Sequence, residues 1–174
     1  MGVLARKRNL SELEFYKNAI TLRRDMTFLL LRDLGVKSTV RNMRVNTKKM
    51  DAEDAAVFTD LLEKYRLKIA GDYPDWLIDK LRSSMWDILR DLMINITKAY
   101  TIWATCKVEA EERRIAQDRA IACCENLLKE LELAVEVLPV DAEKYMRYVK
   151  IIEREIALLK GWRKADNKHN KNLK

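Results

Sequence analysis

The sequence predicts an all-α protein, an antiparallel four-helix bundle with an extra short helix in its first connection. Hydrophobic residues make up 48% of the 174 residues and charged residues 35%, whereas only 4 glycines and 2 prolines are present. An all-β chain of this length needs many more turn residues. Four long segments also repeat apolar residues at the three- and four-residue steps of amphipathic helices. We therefore expect residues 1–174 to form a single helical domain.

The first long helix is predicted over residues 11–34. Ser11 and Glu14 have the spacing of a capping box, and Gly35 suits a left-handed helix stop. The apolar row of this helix consists of Tyr16, Ala19, Ile20, Met26, Leu30 and Leu34. Residues 26–31 are nearly all apolar, more than one small bundle can bury, and this predicts a subunit interface.

The connection after this helix is predicted to hold a basic loop and a short helix. Residues 36–50 show no clear periodicity, whereas residues 51–70 follow an amphipathic pattern that begins at a capping residue, Asp51. Pro74 then suits the first turn of the next long helix. The short helix is an insertion in an otherwise simple bundle.

Three more long helices are predicted over residues 74–105, 108–137 and 141–165. The first has the apolar seam Leu77, Leu81, Met85, Ile88, Leu92, Ile96, Ala99 and Trp103. The second has the seam Ala116, Ala120, Cys123, Leu127, Leu131, Ala134 and Leu138. The third has the seam Tyr145, Val149, Ile152, Ile156, Leu159 and Trp162, with Asp141 as its cap. Residues 166–174 are predicted to form a flexible basic tail.

The positive charge is concentrated in three segments. Residues 1–8 carry a net charge of +3, residues 35–50 carry +5 and residues 160–174 carry +5. Because the whole chain has a net charge of +7, the remaining residues are net acidic. This distribution favours a polyanionic partner.

Twelve basic residues are candidates for nucleic-acid binding. The connector is the strongest case because it has five basic residues and no acid: Lys37, Arg41, Arg44, Lys48 and Lys49. The other candidates lie on the last two helices: Arg113, Arg114, Arg147, Lys150, Arg154, Arg163 and Lys164. For the helical candidates, an ordinary solvated face is the interpretation that stands beside binding, and it is the favoured one for Arg147, Lys150 and Arg154. We expect phosphate contacts with little sequence readout, because most aromatic residues are assigned to the core.

No catalytic or metal-binding motif stands out. The single histidine, His169, is in the predicted tail, and Cys106, Cys123 and Cys124 form no CxxC pair. We expect reduced thiols, no cofactor, no metal and no enzyme activity. Basic residues 6–8 interrupt any signal peptide, and no segment reaches the length of a membrane span. These observations predict a cytoplasmic protein.

Four stretches of the sequence resemble a known family. They are residues 28–37, 74–82, 112–114 and 156–164, the last of which includes the pair Gly161-Trp162. They resemble the accessory variability determinant (Avd) proteins of diversity-generating retroelements, whose bundle is similar to that of proteins encoded in ribosomal RNA intervening sequences. The likeness extends over residues 11–37 and 74–165.

The resemblance implies a four-helix bundle that assembles as a homopentamer with a basic surface. It also implies binding to the reverse transcriptase and template-repeat RNA of a retroelement, in support of mutagenic cDNA synthesis and without catalysis. Arg113, Arg114, Arg163 and Lys164 match basic positions of the family. Residues 38–70 depart from it, because compact members have a shorter link there.

Other interpretations remain open at this stage. DNA or cDNA is an alternative to RNA as the bound nucleic acid. A structural adaptor that binds only protein, with its charge serving solubility, is the alternative function. A membrane-surface protein is disfavoured, because no helix pairs a broad apolar face with a lysine-rich opposite face.

Overall fold

The computed structural model describes residues 9–36, 50–64, 75–138 and 140–173, and these residues form helices without a strand. The five α-helices are α1 (Glu14–Leu31), α2 (Ala52–Lys64), α3 (Asp75–Thr101), α4 (Lys107–Val137) and α5 (Ala142–His169). Short 3₁₀ turns lie at Leu10–Glu12, Asp33–Gly35 and Asn170–Asn172. The predicted all-α class is confirmed.

The four longer helices pack around one hydrophobic core. Helix α3 packs against α4, α4 against α5, and α1 against both α5 and α3. The core is built from apolar residues that recur at helical spacing on each of these helices, as an amphipathic pattern dictates. Its largest fully buried side chains include Leu22, Met26, Met85, Leu92, Leu127, Leu131 and Tyr148.

Helix α1 begins later than the sequence predicts. Ser11 lies in the first 3₁₀ turn, and the residue that precedes the helix is Leu13, which makes no side-chain capping bond. The predicted capping box is therefore wrong. Leu13 packs against the core and Phe15 is buried, so the burial of apolar side chains determines where this helix starts.

The end of α1 is a tight left-handed turn. The helix ends at Leu31, before the predicted end at Leu34; Gly35 has the predicted positive φ (+83°), but Asp33 and Leu34 also have positive φ values. Such a conformation costs a non-glycine residue about 1–3 kcal/mol. The turn is fastened by complete burial of Leu34, by the Tyr145 hydroxyl that donates to its carbonyl oxygen, and by an ion pair of 3.2 Å between Asp33 and Arg82.

Most of the predicted seam residues of α3 and α4 are buried, but Ile78 and Leu89 take the core positions predicted for their neighbours Leu77 and Ile88. Helix α3 ends at Thr101, so Trp103 lies in the connector before α4 with 49% of its surface exposed. On α4, Cys124 is fully buried and Cys123 only partly, the reverse of the prediction. The reason is that a straight helix of 3.6 residues per turn drifts away from a strict heptad seam.

Helix α5 extends beyond its predicted end. The Asp141 side chain accepts a hydrogen bond from the Glu143 backbone N–H, so the predicted cap is confirmed. The helix continues to His169, because no proline follows it and Asp166 is bonded to α4. Residues 166–169, assigned to the flexible tail by sequence, are therefore helical.

The short helix α2 is confirmed as an element with its predicted cap. The Asp51 side chain accepts a hydrogen bond of 2.8 Å from the Asp54 backbone N–H. None of the residues of α2 is buried, and Val57 and Leu61 are exposed. The predicted part of this helix beyond Lys64, and Pro74, lie outside the described residues.

Candidate nucleic-acid interface

The predicted binding residues divide into two groups. The five connector residues, Lys37, Arg41, Arg44, Lys48 and Lys49, lie outside the described residues. Their role stays a prediction. The other seven lie on α4 and α5, and the structure places each of them.

Arg113 is committed to contacts inside the protein. Its guanidinium donates to the Asp166 carboxylate at 2.7 Å and to the Ile102 carbonyl oxygen at 3.0 Å, and lies 5.5 Å from the centre of the Trp162 ring. The buried Gln117 donates to the same Asp166 oxygen at 2.6 Å. Only 17% of the Arg113 side chain is exposed. This residue ties α4 to the end of α5 and is poorly placed to meet a phosphate.

Three other arginines make ion pairs nearer the surface. Arg114 pairs with Glu111 at 2.7 Å, Arg154 pairs with Glu14 at 2.7 Å, and Arg163 pairs with Asp118. Exposed pairs of this kind contribute at most about 1 kcal/mol, because water screens both charges. A phosphate group could therefore take the place of the carboxylate at little cost.

Arg147 differs from the other arginines in that its partner is neutral. The guanidinium donates to the Tyr148 hydroxyl and lies 4.4 Å from the centre of the same ring. Tyr148 itself is buried, while Arg147 is exposed. No carboxylate of a described residue pairs with this arginine, which lies at the surface near the start of α5.

The outer face of α5 carries a row of basic residues, here called the basic stripe: Lys150, Arg154, Lys164 and Lys168. All four are exposed. At 100° per residue they fall within about 80° of one another, and the row is about 27 Å long. The three lysines make no ion pair with any described residue, although the exposed Glu153 lies beside the row. The stripe is therefore an accessible, elongated positive surface.

Two small residues occupy the middle of the basic stripe. Ala157 and Gly161 are both exposed and lie between the pair at positions 150 and 154 and the pair at positions 164 and 168. The space that a side chain at Gly161 would occupy is empty. No long side chain therefore projects from the helix between the two basic pairs, so a phosphate backbone can approach the helix closely there.

Lys168 is the stripe residue that sequence reasoning missed. It was assigned to a flexible tail, and only Arg163 and Lys164 were singled out from that end of the chain. The signal is present in the sequence, because Lys150, Arg154, Lys164 and Lys168 fall on one row of three- and four-residue steps that passes through Ala157 and Gly161. Helical continuity beyond residue 165 brings Lys168 into line with the others.

The inner face of α5 holds a buried carboxyl group that the sequence analysis also missed. Glu155 is fully buried, and its Oε2 accepts a hydrogen bond of 2.7 Å from the Asn18 amide, which also donates to the Ile151 carbonyl oxygen. Its Oε1 has no partner among the described residues. Burial raises the pKa of Glu155 to about 7. Its spacing from Ile152 and Leu159 could have indicated burial.

Cys123 and Cys124 have the character expected of packing residues. Burial raises the pKa of the Cys124 thiol strongly, and burial also raises the pKa of the half-buried Cys123 thiol. Thiols of this kind are poor nucleophiles and poor metal ligands at neutral pH. Among the described residues, no group of three or more histidine, cysteine or acidic side chains is arranged to hold a metal ion.

No helix in the described part of the chain has the length and apolar character needed to cross a membrane.

The comparisons with known proteins found no relative. The chain matches no protein family, no curated protein and no solved structure. Its function is therefore proposed from its own residues and surfaces, together with the sequence resemblance described above.

Proposed function

We propose that this protein is a non-catalytic nucleic-acid-binding accessory protein of a diversity-generating retroelement. It holds template RNA close to the reverse transcriptase during mutagenic cDNA synthesis. The observation that carries this proposal is the basic stripe on α5, where three exposed lysines make no ion pair with a described residue. The sequence resemblance to the Avd family supplies the biological context.

The stripe suits a phosphate backbone better than it suits a base edge. Lysine presents a compact charge on a flexible stem, which meets phosphates without requiring a fixed geometry. Each contact releases condensed counterions, so binding weakens steeply as salt rises. Contacts of this kind position a strand but read little sequence. An accessory protein that must accept the whole length of a variable template benefits from such binding.

The proposal includes the antiparallel four-helix bundle of the family. Three contacts support antiparallel packing of α1 and α5: Asn18 with Ile151, Phe15 with Trp162, and Leu34 with Tyr145. Early residues of α1 meet the later part of α5, and the end of α1 meets the beginning of α5. Short connectors between α3, α4 and α5 support the same arrangement for those helices.

The proposal also includes a homo-oligomer, a pentamer if the resemblance extends to assembly. Met26, Leu29 and Leu30 are buried in the core, whereas Phe28 is 54% exposed and Leu31 is 66% exposed. Ile20 lies on the same side of α1 and is also exposed. An exposed apolar face of this kind is typical of a protein interface.

The test measures RNA binding across a salt series. In one variant, Lys150, Lys164 and Lys168 are replaced by glutamine. In the matched control, the exposed residues Lys80, Lys98 and Lys129 are replaced, so that both variants lose three charges. Each lost phosphate contact should reduce the slope of log affinity against log salt by about 0.7. We expect a slope flatter by about two units for the stripe variant and little change for the control.

Light scattering before the titration gives the mass of the particle that binds, and a 20.5 kDa monomer would contradict the oligomer. Equal losses in both lysine variants would show general attraction rather than a stripe. Absence of salt-dependent RNA binding, together with capture of a reverse transcriptase, would favour the adaptor that binds only protein.

A further inference from the structure

A cleft of about 700 Å³ lies at the end of the helices where the stripe terminates. The last residues of α3, the connector before α4 and the last turns of α5 line this cleft. Its volume falls within the range of about 300–1,000 Å³ that is typical of ligand sites. Lys168, the last residue of the basic stripe, is one of its lining residues.

Of the tryptophan and tyrosine residues that line the cleft, Trp103 is the most exposed. Its indole is 49% exposed, because it lies in the connector and not on the seam of α3. Trp162 also lines the cleft but is only 9% exposed. One face of the Trp162 ring stacks on Phe15 at a centroid distance of 4.2 Å, and the Arg113 guanidinium lies over the ring at 5.5 Å. Trp162 is therefore enclosed, whereas about half of the Trp103 surface is exposed to solvent.

The charge of the cleft favours an anion. Lys168 lines it and makes no ion pair with any described residue, and His169 lies beside it. Asp166 is the acidic residue of the lining, and its carboxylate is already bonded to Arg113 and Gln117. A planar ring with an attached negative charge matches a cleft that is lined by both an exposed tryptophan and a lysine.

We propose that this cleft binds one unstacked nucleotide of a single-stranded RNA, with its base on Trp103 and a phosphate at Lys168. The inference rests on the proposed function, because a strand that follows the basic stripe reaches the cleft at Lys168. It adds a base contact to the charge-driven binding expected from sequence. Stacking of this type tolerates every base, since each base has a flat π-face.

The first experiment replaces Trp103 by alanine and measures affinity for a single-stranded RNA oligonucleotide. Loss of one stacked base should lower affinity by about five- to 150-fold. The salt slope should stay unchanged, because no charge is removed. Trp103→Phe should retain most of the affinity. The matched control is Trp86→Ala, because Trp86 is 44% exposed and lies beside Arg23, outside the cleft.

The second experiment tests the cleft without a long strand. Adenosine monophosphate should quench tryptophan fluorescence of the unaltered protein, whereas ribose 5-phosphate, which lacks the base, should not. Circular dichroism checks the helicity of each variant. If Trp103→Ala loses its helices, Trp103→Phe and the two small ligands still decide the question.

The outcomes separate the cleft from the stripe. Salt-dependent RNA binding with equal affinity for Trp103→Ala and the unaltered protein would overturn the cleft and leave the proposed function standing. Equal effects of adenosine monophosphate and ribose 5-phosphate would also overturn the cleft. Absence of RNA binding in the unaltered protein would overturn both.

Discussion

Both the inner and the outer face of α5 carry charged residues, but those on the inner face are buried or bonded within the protein, whereas those on the outer face are exposed to solvent. On the inner side, Glu155 is fully buried and Asp166 is bonded to Arg113 and Gln117. On the outer side, Lys164 and other lysines of the basic stripe are exposed and make no ion pair with a described residue. The position of a charge around the helix therefore decides whether it holds the fold together or remains available to a ligand.

The physical basis of this difference is solvation. A charge inside the protein loses its water and must be neutralised or paired, whereas an exposed charge keeps its water and interacts weakly with neighbours. Substitutions on the inner face should therefore change stability, and those on the outer face should change RNA binding. Three substitutions test this separation, from the largest expected effect to the smallest.

The largest expected effect comes from Glu155→Gln. A carboxyl group in the unfolded chain ionises near pH 4.5, whereas burial raises the pKa of Glu155 to about 7. Between these values the folded state binds the extra proton, so the free energy of unfolding falls as pH rises. The total loss amounts to about 3 kcal/mol and is complete above about pH 7. Glutamine keeps an acceptor for Asn18 and removes this loss.

Urea unfolding between pH 4.5 and 8 measures this effect. At pH 8 the Glu155→Gln variant should be the more stable protein, and the two should converge toward pH 4.5. The control is Glu153→Gln, because Glu153 is an exposed neighbour on the same helix. Parallel stability curves for Glu155→Gln and the unaltered protein would contradict a raised pKa.

The next effect in size is expected for Arg113→Gln. The substitution leaves Asp166 without its charged partner, and 19% of that carboxylate side chain is exposed. We expect a loss of about 2 kcal/mol, smaller than for a fully buried pair because some water reaches it. The salt slope of RNA binding should not change, although Arg113 is among the residues predicted from sequence to bind.

Thermal unfolding and an RNA titration check the two halves of this prediction. Arg114→Gln is the matched control, because Arg114 is the adjacent arginine and forms an exposed pair with Glu111. Its stability should stay within about 0.5 kcal/mol of the unaltered protein. A flatter salt slope for Arg113→Gln with unchanged stability would return Arg113 to the binding surface.

The sequence was informative about the fold where one helix could be considered by itself. Periodic apolar residues predicted the helices near their true bounds, and the predicted cap Asp141 is present. The predicted start of α1 is wrong because it rests on a local capping bond of Ser11. The true start depends on burial of Leu13 and Phe15 against other helices, which the local sequence does not show. Cys123 and Cys124 were exchanged because adjacent residues differ by only 100° around a helix.

The candidate site was less predictable because it depends on contacts between helices. Sequence identifies Arg113 and Lys164 as basic but gives no information about which of them meets an acid from another helix. Asp166 lies more than fifty residues after Arg113, and their bond exists only because α4 packs against α5. Trp103 and Lys168 are also more than fifty residues apart in the chain, and only the fold brings them to one cleft.

The smallest effect is expected for Glu14→Gln, which frees Arg154 on the basic stripe. The pair of Glu14 and Arg154 has a distance of 2.7 Å, but both side chains are more than 60% exposed. Its loss should change stability by less than about 1 kcal/mol. RNA affinity should rise a few-fold at most, and the salt slope should steepen by up to about 0.7, because one more cation can meet a phosphate.

The matched control for Glu14→Gln is Glu132→Gln. Glu132 pairs with Lys129 on α4, a residue outside the basic stripe, and this substitution removes the same charge. A rise in affinity for both variants would indicate that RNA responds only to net charge. A rise for Glu14→Gln alone would show that the RNA strand lies along the outer face of α5. The reason is that this substitution frees Arg154, which lies on that face, whereas Glu132→Gln frees a lysine elsewhere.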